Sequence, residues 1–307
     1  MLKQATETRE VITVAVGEIC LRGTFHRPRD HRSGPGLSKR NRFGILFLNH
    51  GFLPRTAPGD SAVHWADSFA EQGYPCFRID LTGLGDSDGD VPADLLDYIN
   101  AGGYASILSA AIKELTERFS LSGVVILGHC SSAVTALFSA ALSKECMGLV
   151  LTDPYFHLAR ERNEIQMELR HWASWSRLGA LSSDIYYYLK YIHLLVRGNR
   201  LPRNANSALI RCWDQLASAG LPILILKAPV LKGRGTKPRV GDFDYLGYLE
   251  ALSGRGSRVV IKLMEGTNHS FAGNVATAAV RECTGQWLNE YFPFVEYEEA
   301  ATVNNSA

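Results

Sequence analysis

Short apolar runs alternate along this chain with segments of helical period, and the alternation predicts most of the architecture. Val11 to Val16 and Ile19 to Phe25 read as two strands joined through Gly17-Glu18, a hairpin entry. From Phe43 the succession is regular: FGILFLNH a strand, SAVHWADSFAEQG a helix, YPCFRID a strand, YASILSAAIKELTERF a helix. GVVILGH, SSAVTALFSAALSK and MGLVLTD follow as strand, helix and strand. The pattern stops after Asp153 and resumes with the strand LPILILKAP, a helix near Tyr245 to Leu252, the strand RVVIKLM and a helix over Val275 to Tyr291. Strands that are apolar on both faces and separated by helices indicate a mostly parallel sheet covered on both sides.

Two stretches break the pattern. His26 to Arg42 is a basic loop in which Pro and Gly oppose regular structure, and the last residues, FVEYEEAATVNNSA, are acidic and then polar, with fraying expected. Residues 155–219 form a long insertion without sheet character that carries Trp172, Trp175, Tyr186, Tyr187, Tyr188 and Tyr191, suited to a core or to lining an apolar pocket.

Composition narrows the function. With 32 Lys and Arg against 31 Asp and Glu, no global charge drives binding to nucleic acid or an anionic membrane. The six cysteines lack CxxC spacing and any Cys/His cluster suited to zinc, so they read as reduced thiols. The opening MLKQATETREV lacks the apolar segment of a signal peptide and no window has the length of a membrane span, so a cytoplasmic location is expected.

The chemistry concentrates at LGHCSSA. Gly128-His129-Cys130-Ser131-Ser132 ends a strand and opens a helix in the order small, any, nucleophile, any, small. Small residues are needed because so sharp a turn crowds the backbone two positions either side of the nucleophile. Frames centred on Ser131 or Ser132 place His129 or Val134 at a small position and fit less well. The unpaired amides of the helix starting at Ser131 favour a thiolate at Cys130. A thiol nucleophile needs a base, and His269 lies between the last predicted strand and the final helix.

This stretch resembles the nucleophile elbow of the α/β-hydrolase superfamily, with cysteine in place of serine and Ser132 in place of the second glycine. The resemblance covers roughly 43–153 and 221–291. It implies an α/β-hydrolase fold whose core is 1–154 and 220–307, with 155–219 as a helical lid. It implies Cys130 as nucleophile and His269 as base. The acid is less direct, because the strand PILILKAP is followed by no carboxylate before Asp242 and Asp244, and Asp244 is also placed to cap the next helix. Some members carry the acid one strand earlier, which selects Asp153, although Asp before Pro154 is also a common turn pair. Asn49-His50-Gly51-Phe52 resembles the His-Gly oxyanion loop, which assigns the oxyanion donors to the backbone amides of Phe52 and Ser131. Asp80-Leu81-Thr82-Gly83-Leu84-Gly85-Asp86-Ser87 resembles a further superfamily segment with a structural role.

Cysteine in the elbow changes the expected reaction. Attack on a carbonyl gives a thioester, which keeps more acyl-transfer potential than an ester. The implied activity is therefore acyl transfer on an ester or thioester, either as a thioesterase or hydrolase or as an acyltransferase. Cysteine-elbow members include dienelactone-hydrolase-like enzymes, polyhydroxyalkanoate synthases and shuttles that move acyl or aminoacyl groups between carrier-protein thiols. The overall pattern also looks like small hydrolases of biosynthetic clusters. Basic residues outnumber acidic ones in the insertion, which suits an acyl or peptidyl carrier protein or coenzyme A as partner, or simply a solvated face. No cofactor or metal is called for. The competing class is a non-catalytic relative that binds a small molecule, a reading kept open by the missing acid after PILILKAP.

Overall fold

The computed structural model describes residues 8–29, 31–32, 37–39, 43–51, 53–158, 201–229, 243–254, 257–271, 273–293 and 296–298. Its centre is an eight-stranded sheet. The strands are β1 (Arg9–Val16), β2 (Ile19–His26), β5 (Phe43–Leu48), β6 (Cys76–Ile79), β7 (Gly123–His129), β8 (Cys146–Thr152), β9 (Ile223–Lys227) and β10 (Val259–Leu263). Their spatial order is β1-β2-β6-β5-β7-β8-β9-β10. The hairpin β1–β2 joins antiparallel to β6, and the six strands from β6 to β10 run parallel. This is an α/β-hydrolase fold.

The helices are α1 (Ser61–Glu71), α2 (Leu95–Asn100), α3 (Ala105–Arg118), α4 (Ser131–Ala140), α5 (Ser207–Ser218), α6 (Tyr245–Ser253) and α7 (Asn274–Tyr291). Successive residues of a strand face opposite sides, and the central strands are apolar at both. Leu46, Ile126, Leu149, Leu151 and Ile225 pack with α3, α4 and α5, whereas Ile45, Phe47, Val125, Val150 and Leu224 pack with α1 and α7. Trp65 of α1 donates its indole N–H to the Thr277 carbonyl of α7 at 3.0 Å, tying the two helices of the second layer together. Burying each such aliphatic or aromatic side chain contributes about 1.5–3 kcal/mol, so both faces of the sheet are needed for stability.

Two features differ from the sequence expectation. Within the basic loop and the C-terminal segment, β3 (His31–Arg32), β4 (Leu37–Lys39) and β11 (Glu296–Glu298) form a second, three-stranded antiparallel sheet. The pairing of Lys39 with Glu296 joins segments far apart in sequence, and cross-chain ladder bonds override the weak local preference of such short stretches. The second difference is α2, a short helix that the apolar spacing does not announce. Asp94 starts it by accepting from the Asp97 amide at 3.0 Å. The inserted region is described only at its ends: Leu158 and Asn204 are linked through backbone, and α5 packs into the main core. The aromatics from Trp172 to Tyr191 lie outside the described residues.

The Asp80 to Ser87 segment is a structural clamp. Asp80 is fully buried and accepts from the Arg55 amide at 3.1 Å and the Asp86 amide at 3.2 Å, and it is ion-paired with the Arg55 guanidinium. A Cβ at Gly85, whose φ is +54°, would sit 2.2 Å from an Asp80 carboxylate oxygen, so only glycine lets the turn close over that group. Arg78 donates at 3.2 Å to the Arg55 carbonyl and at 2.8 Å to Nε2 of buried His26, whose Nδ1–H donates to Asp67 at 2.7 Å. These contacts fix the loop that leaves β5.

Candidate active site

The C-terminal ends of five neighbouring strands converge. His50 follows β5, Cys130 follows β7, Asp153 follows β8, Lys227 ends β9 and His269 follows β10. Backbone hydrogen bonds register these ends against each other. The Cys130 amide donates to Thr152 O at 2.9 Å, the Asp153 amide to Leu226 O at 2.8 Å, and the Met264 amide to Lys227 O at 2.8 Å.

Cys130 stands at the strand-to-helix elbow with φ 53° and ψ −112°, immediately before α4. A Cβ on Gly128 would lie 2.5 Å from Ser132 O, which is the physical reason for a glycine two residues before the cysteine. Two residues after it, Ser132 is accommodated because its hydroxyl is absorbed by the elbow. It accepts from the His129 amide at 2.8 Å and donates to the His129 carbonyl at 2.9 Å. Positive φ at a residue with a side chain costs about 1–3 kcal/mol. Cys130, Asp153 (φ 48°) and Phe271 (φ 48°) all adopt it around this one site.

Asp153 is buried, at 6% exposure, with one oxygen in a hydrogen bond and the other in an ion pair. One is bonded to Nδ1 of His269 and the other is paired with the Lys227 ammonium. The sequence-selected acid and base are therefore in contact. Asp244 instead accepts from the Gly247 amide at 3.0 Å and caps α6. Asp242 lies outside the described residues, as does Phe52. The turn before Phe52 is described: Leu53 N donates to His50 O at 2.9 Å, and a Cβ on Gly51 would stand 3.3 Å from Ser131 Oγ. The His-Gly turn thus abuts the start of α4, where the Ser131 amide lies.

Burial pushes the Cys130 thiol above its usual range. The Ser131 amide pulls it down, Asp153 pushes it up and Lys227 pulls it down, but desolvation prevails. The Ser131 amide at the helix start favours the thiolate, as the sequence leads one to expect, but its pull is smaller than the cost of burying a charge. A thiol held up in this way depends on a neighbouring base.

Sequence reasoning missed a row of histidines. His50 and His129 have ring centroids 4.5 Å apart, and His129 and His269 5.0 Å. His129 is held through Nδ1 to Thr152 Oγ1 at 3.0 Å, and Phe271 packs edge-on against it at 5.9 Å. Burial, together with His50, His269 and Lys227, takes His129 down to about 2. Burial and His269 take His50 to about 4, and burial with Arg78 takes His26 to about 4. Neighbouring Tyr155 is raised to about 12 by burial and by Cys130. Among the described residues, the buried Nδ1 of His50 and the Tyr155 hydroxyl have no hydrogen-bond partner.

These histidines make the fold acid-labile. An unfolded histidine binds its proton near 6.5, and the three folded values are lower. The stabilisation is complete above 6.5 and is lost as pH falls toward about 4, because the unfolded chain binds more protons throughout that window. The urea midpoint is expected to fall clearly between about pH 7 and about pH 5. An unchanged midpoint would contradict the neutral, buried assignment.

A family model described as the Alpha/beta hydrolase family matches residues 45–282. The chain belongs to that family. The match spans the strands β5 to β10 and includes the Cys130 elbow, Asp153 and His269. A search of curated protein sequences finds no match. Among solved structures, the alpha/beta hydrolase GrgF from Penicillium sp. sh18 is 17% identical with a TM-score of 0.59, over 93% of this chain and 99% of that one. DcsB in complex with its substrate analogue is 17% identical, TM-score 0.55, over 92% and 99%. An esterase of Pyrococcus furiosus is 12% identical, TM-score 0.58, over 95% and 94%. At these identities the likeness is one of fold. Membership in the family points to hydrolase-type chemistry.

All six cysteines are free thiols. Among the described residues no helix is long and apolar enough to cross a membrane, and no group of three or more His, Cys, Asp or Glu is placed to hold a metal ion.

Proposed function

We propose that this chain is a cysteine-dependent acyl-transfer enzyme acting on an ester or thioester through a covalent Cys130 thioester. The observation that carries the reading is the placement of Cys130 on a strained elbow, one strand from a buried Asp153 bonded to His269. His269 takes the Cys130 proton as sulfur bonds to the substrate carbonyl carbon. The oxyanion is held by the amides of Phe52 and Ser131, and the C–O or C–S bond then breaks with the proton passing from His269 to the leaving group. Water, a thiol or an amine subsequently attacks the thioester and frees Cys130. Asp153 orients His269 and stabilises its imidazolium. The orphan polar atoms of His50 and Tyr155 favour a substrate with a hydrogen-bonding group near the scissile carbonyl.

In this reading, residues 155–219 serve as a lid, and its basic excess receives an acyl or peptidyl carrier protein or coenzyme A. The free thiols accord with a cytoplasmic location. The test is intact-protein mass spectrometry with a panel of acyl-pantetheine and acyl-coenzyme A thioesters. A mass gain that is absent in Cys130→Ala and discharges onto added thiol or amine identifies a transferase. Turnover to free acid without accumulation identifies a thioesterase. Neither adduct nor turnover across the panel would favour a non-catalytic binding protein.

A further inference from the structure

We propose that Lys227 is a positioning residue of this site, acting through Asp153; the inference rests on the Cys130 reading above. β9 ends in a cation and is not followed, before Asp242, by the carboxylate that the family resemblance led us to expect after it; a carboxylate stands instead one strand away, just past the end of β8. The two departures are complementary. Moving the acid to β8 leaves Asp153 with one oxygen for His269 and a second that needs a partner, and the Lys227 ammonium meets that second oxygen.

A carboxylate bonded on one side only can rotate about its last torsion, which is soft. Held on both sides, it keeps a fixed oxygen aimed at Nδ1 of His269. Burial of Asp153 makes that partner necessary, because an uncompensated buried charge is costly. The lysine is itself anchored: Lys227 pairs in register with Leu263, and its carbonyl accepts the Met264 amide at the start of the loop that carries His269. One residue therefore ties the backbone of the base-bearing loop and the carboxylate of the acid.

The charge also matters to the proton traffic. Asp153 faces Lys227 directly and stands between it and His269, and Cys130 and His129 feel its charge. His50 and Tyr155 complete the titratable groups around the elbow. With the ammonium in place the Asp153 carboxylate has a fixed counter-charge on the side away from His269, so its other oxygen stays aimed at Nδ1 while the thiol proton moves.

The test compares Lys227→Met, Lys227→Gln and Lys227→Arg in the full chain, with Asp153→Asn and the double variant, using thioester turnover. Lys227→Met is expected to lower kcat on the order of 10- to 100-fold with KM little changed. Lys227→Arg, which keeps the charge, should restore kcat. In the Asp153→Asn background Lys227→Met should add little further loss, since the two act through one ion pair. Lys227→Gln keeps a donor without the charge and carries the same expected loss of kcat at little-changed KM, should the methionine variant fail to fold. Wild-type kcat, or a rise in KM alone, would overturn the proposal, the latter by making Lys227 a substrate ligand. Cys130→Ala in the same assay keeps the two readings apart: full activity there would defeat the nucleophile assignment whatever Lys227 does.

Discussion

Replacing Cys130 by alanine is expected to reduce turnover to background, a loss on the order of a million-fold where a nucleophile is removed from a preorganised site. The fold should survive. The residue is only partly buried and its amide, not its sulfur, makes the hydrogen bond to Thr152 that seats the elbow. Alanine removes the thiol and retains the Cβ, so the strain at φ 53° is unchanged in kind. The measurement is steady-state thioester turnover alongside thermal unfolding by circular dichroism. Full activity with a folded protein would remove the covalent mechanism. Lost activity with lost ellipticity would move the decision to Cys130→Ser, which conserves shape and should retain the fold while turning over far more slowly.

The second large effect concerns the acid. Asp153→Asn should lower kcat on the order of 10⁴-fold, and Asp242→Asn should leave it nearly unchanged. An ionised Asp153 accepts from Nδ1–H of His269, which leaves Nε2 free to take the thiol proton. Asparagine can present its NH2 group to Nδ1, stabilising the opposite tautomer and misdirecting the base. It also removes the charge paired with Lys227. Kinetics of both variants side by side decide the matter, since the reverse ranking would assign the acid to Asp242.

The strands were legible because each central one is mostly apolar on both faces. β7, all seven residues buried, coincides with the segment GVVILGH. The elbow was legible for a steric reason: the small residue at 128 is a requirement of backbone contact, and that requirement shows in sequence. Asp153 was only half legible. A carboxylate before proline has several uses, and its contact with His269, 116 positions away, is decided by the sheet order. The missing acid after PILILKAP was a signal, yet nothing in the sequence singles out Lys227 or reveals which carboxylate it serves. The histidine row gave none, because His50, His129 and His269 come from three separate segments. The pull of the helix start on Cys130 was visible in sequence, whereas the larger desolvation by the rest of the fold was not. The three-stranded sheet was hidden for a related reason, its two- and three-residue strands being defined by pairing alone.

The distribution of the site over five adjacent strand ends bears on how the chain reaches its working form. Every pair in the parallel half of the sheet joins segments separated by an intervening helix or more, so contact order is high and folding is expected to be slow. No partial sheet that lacks any of β7 to β10 contains Cys130, Asp153, Lys227 and His269 together, because each of these strands contributes one of them. Recovery of activity during refolding will therefore lag behind recovery of helical signal and mark the docking of β10, the edge strand. For the same reason a split fragment lacking that edge is expected to retain no catalysis, and its complementation by the fragment that carries β10 would report sheet assembly directly.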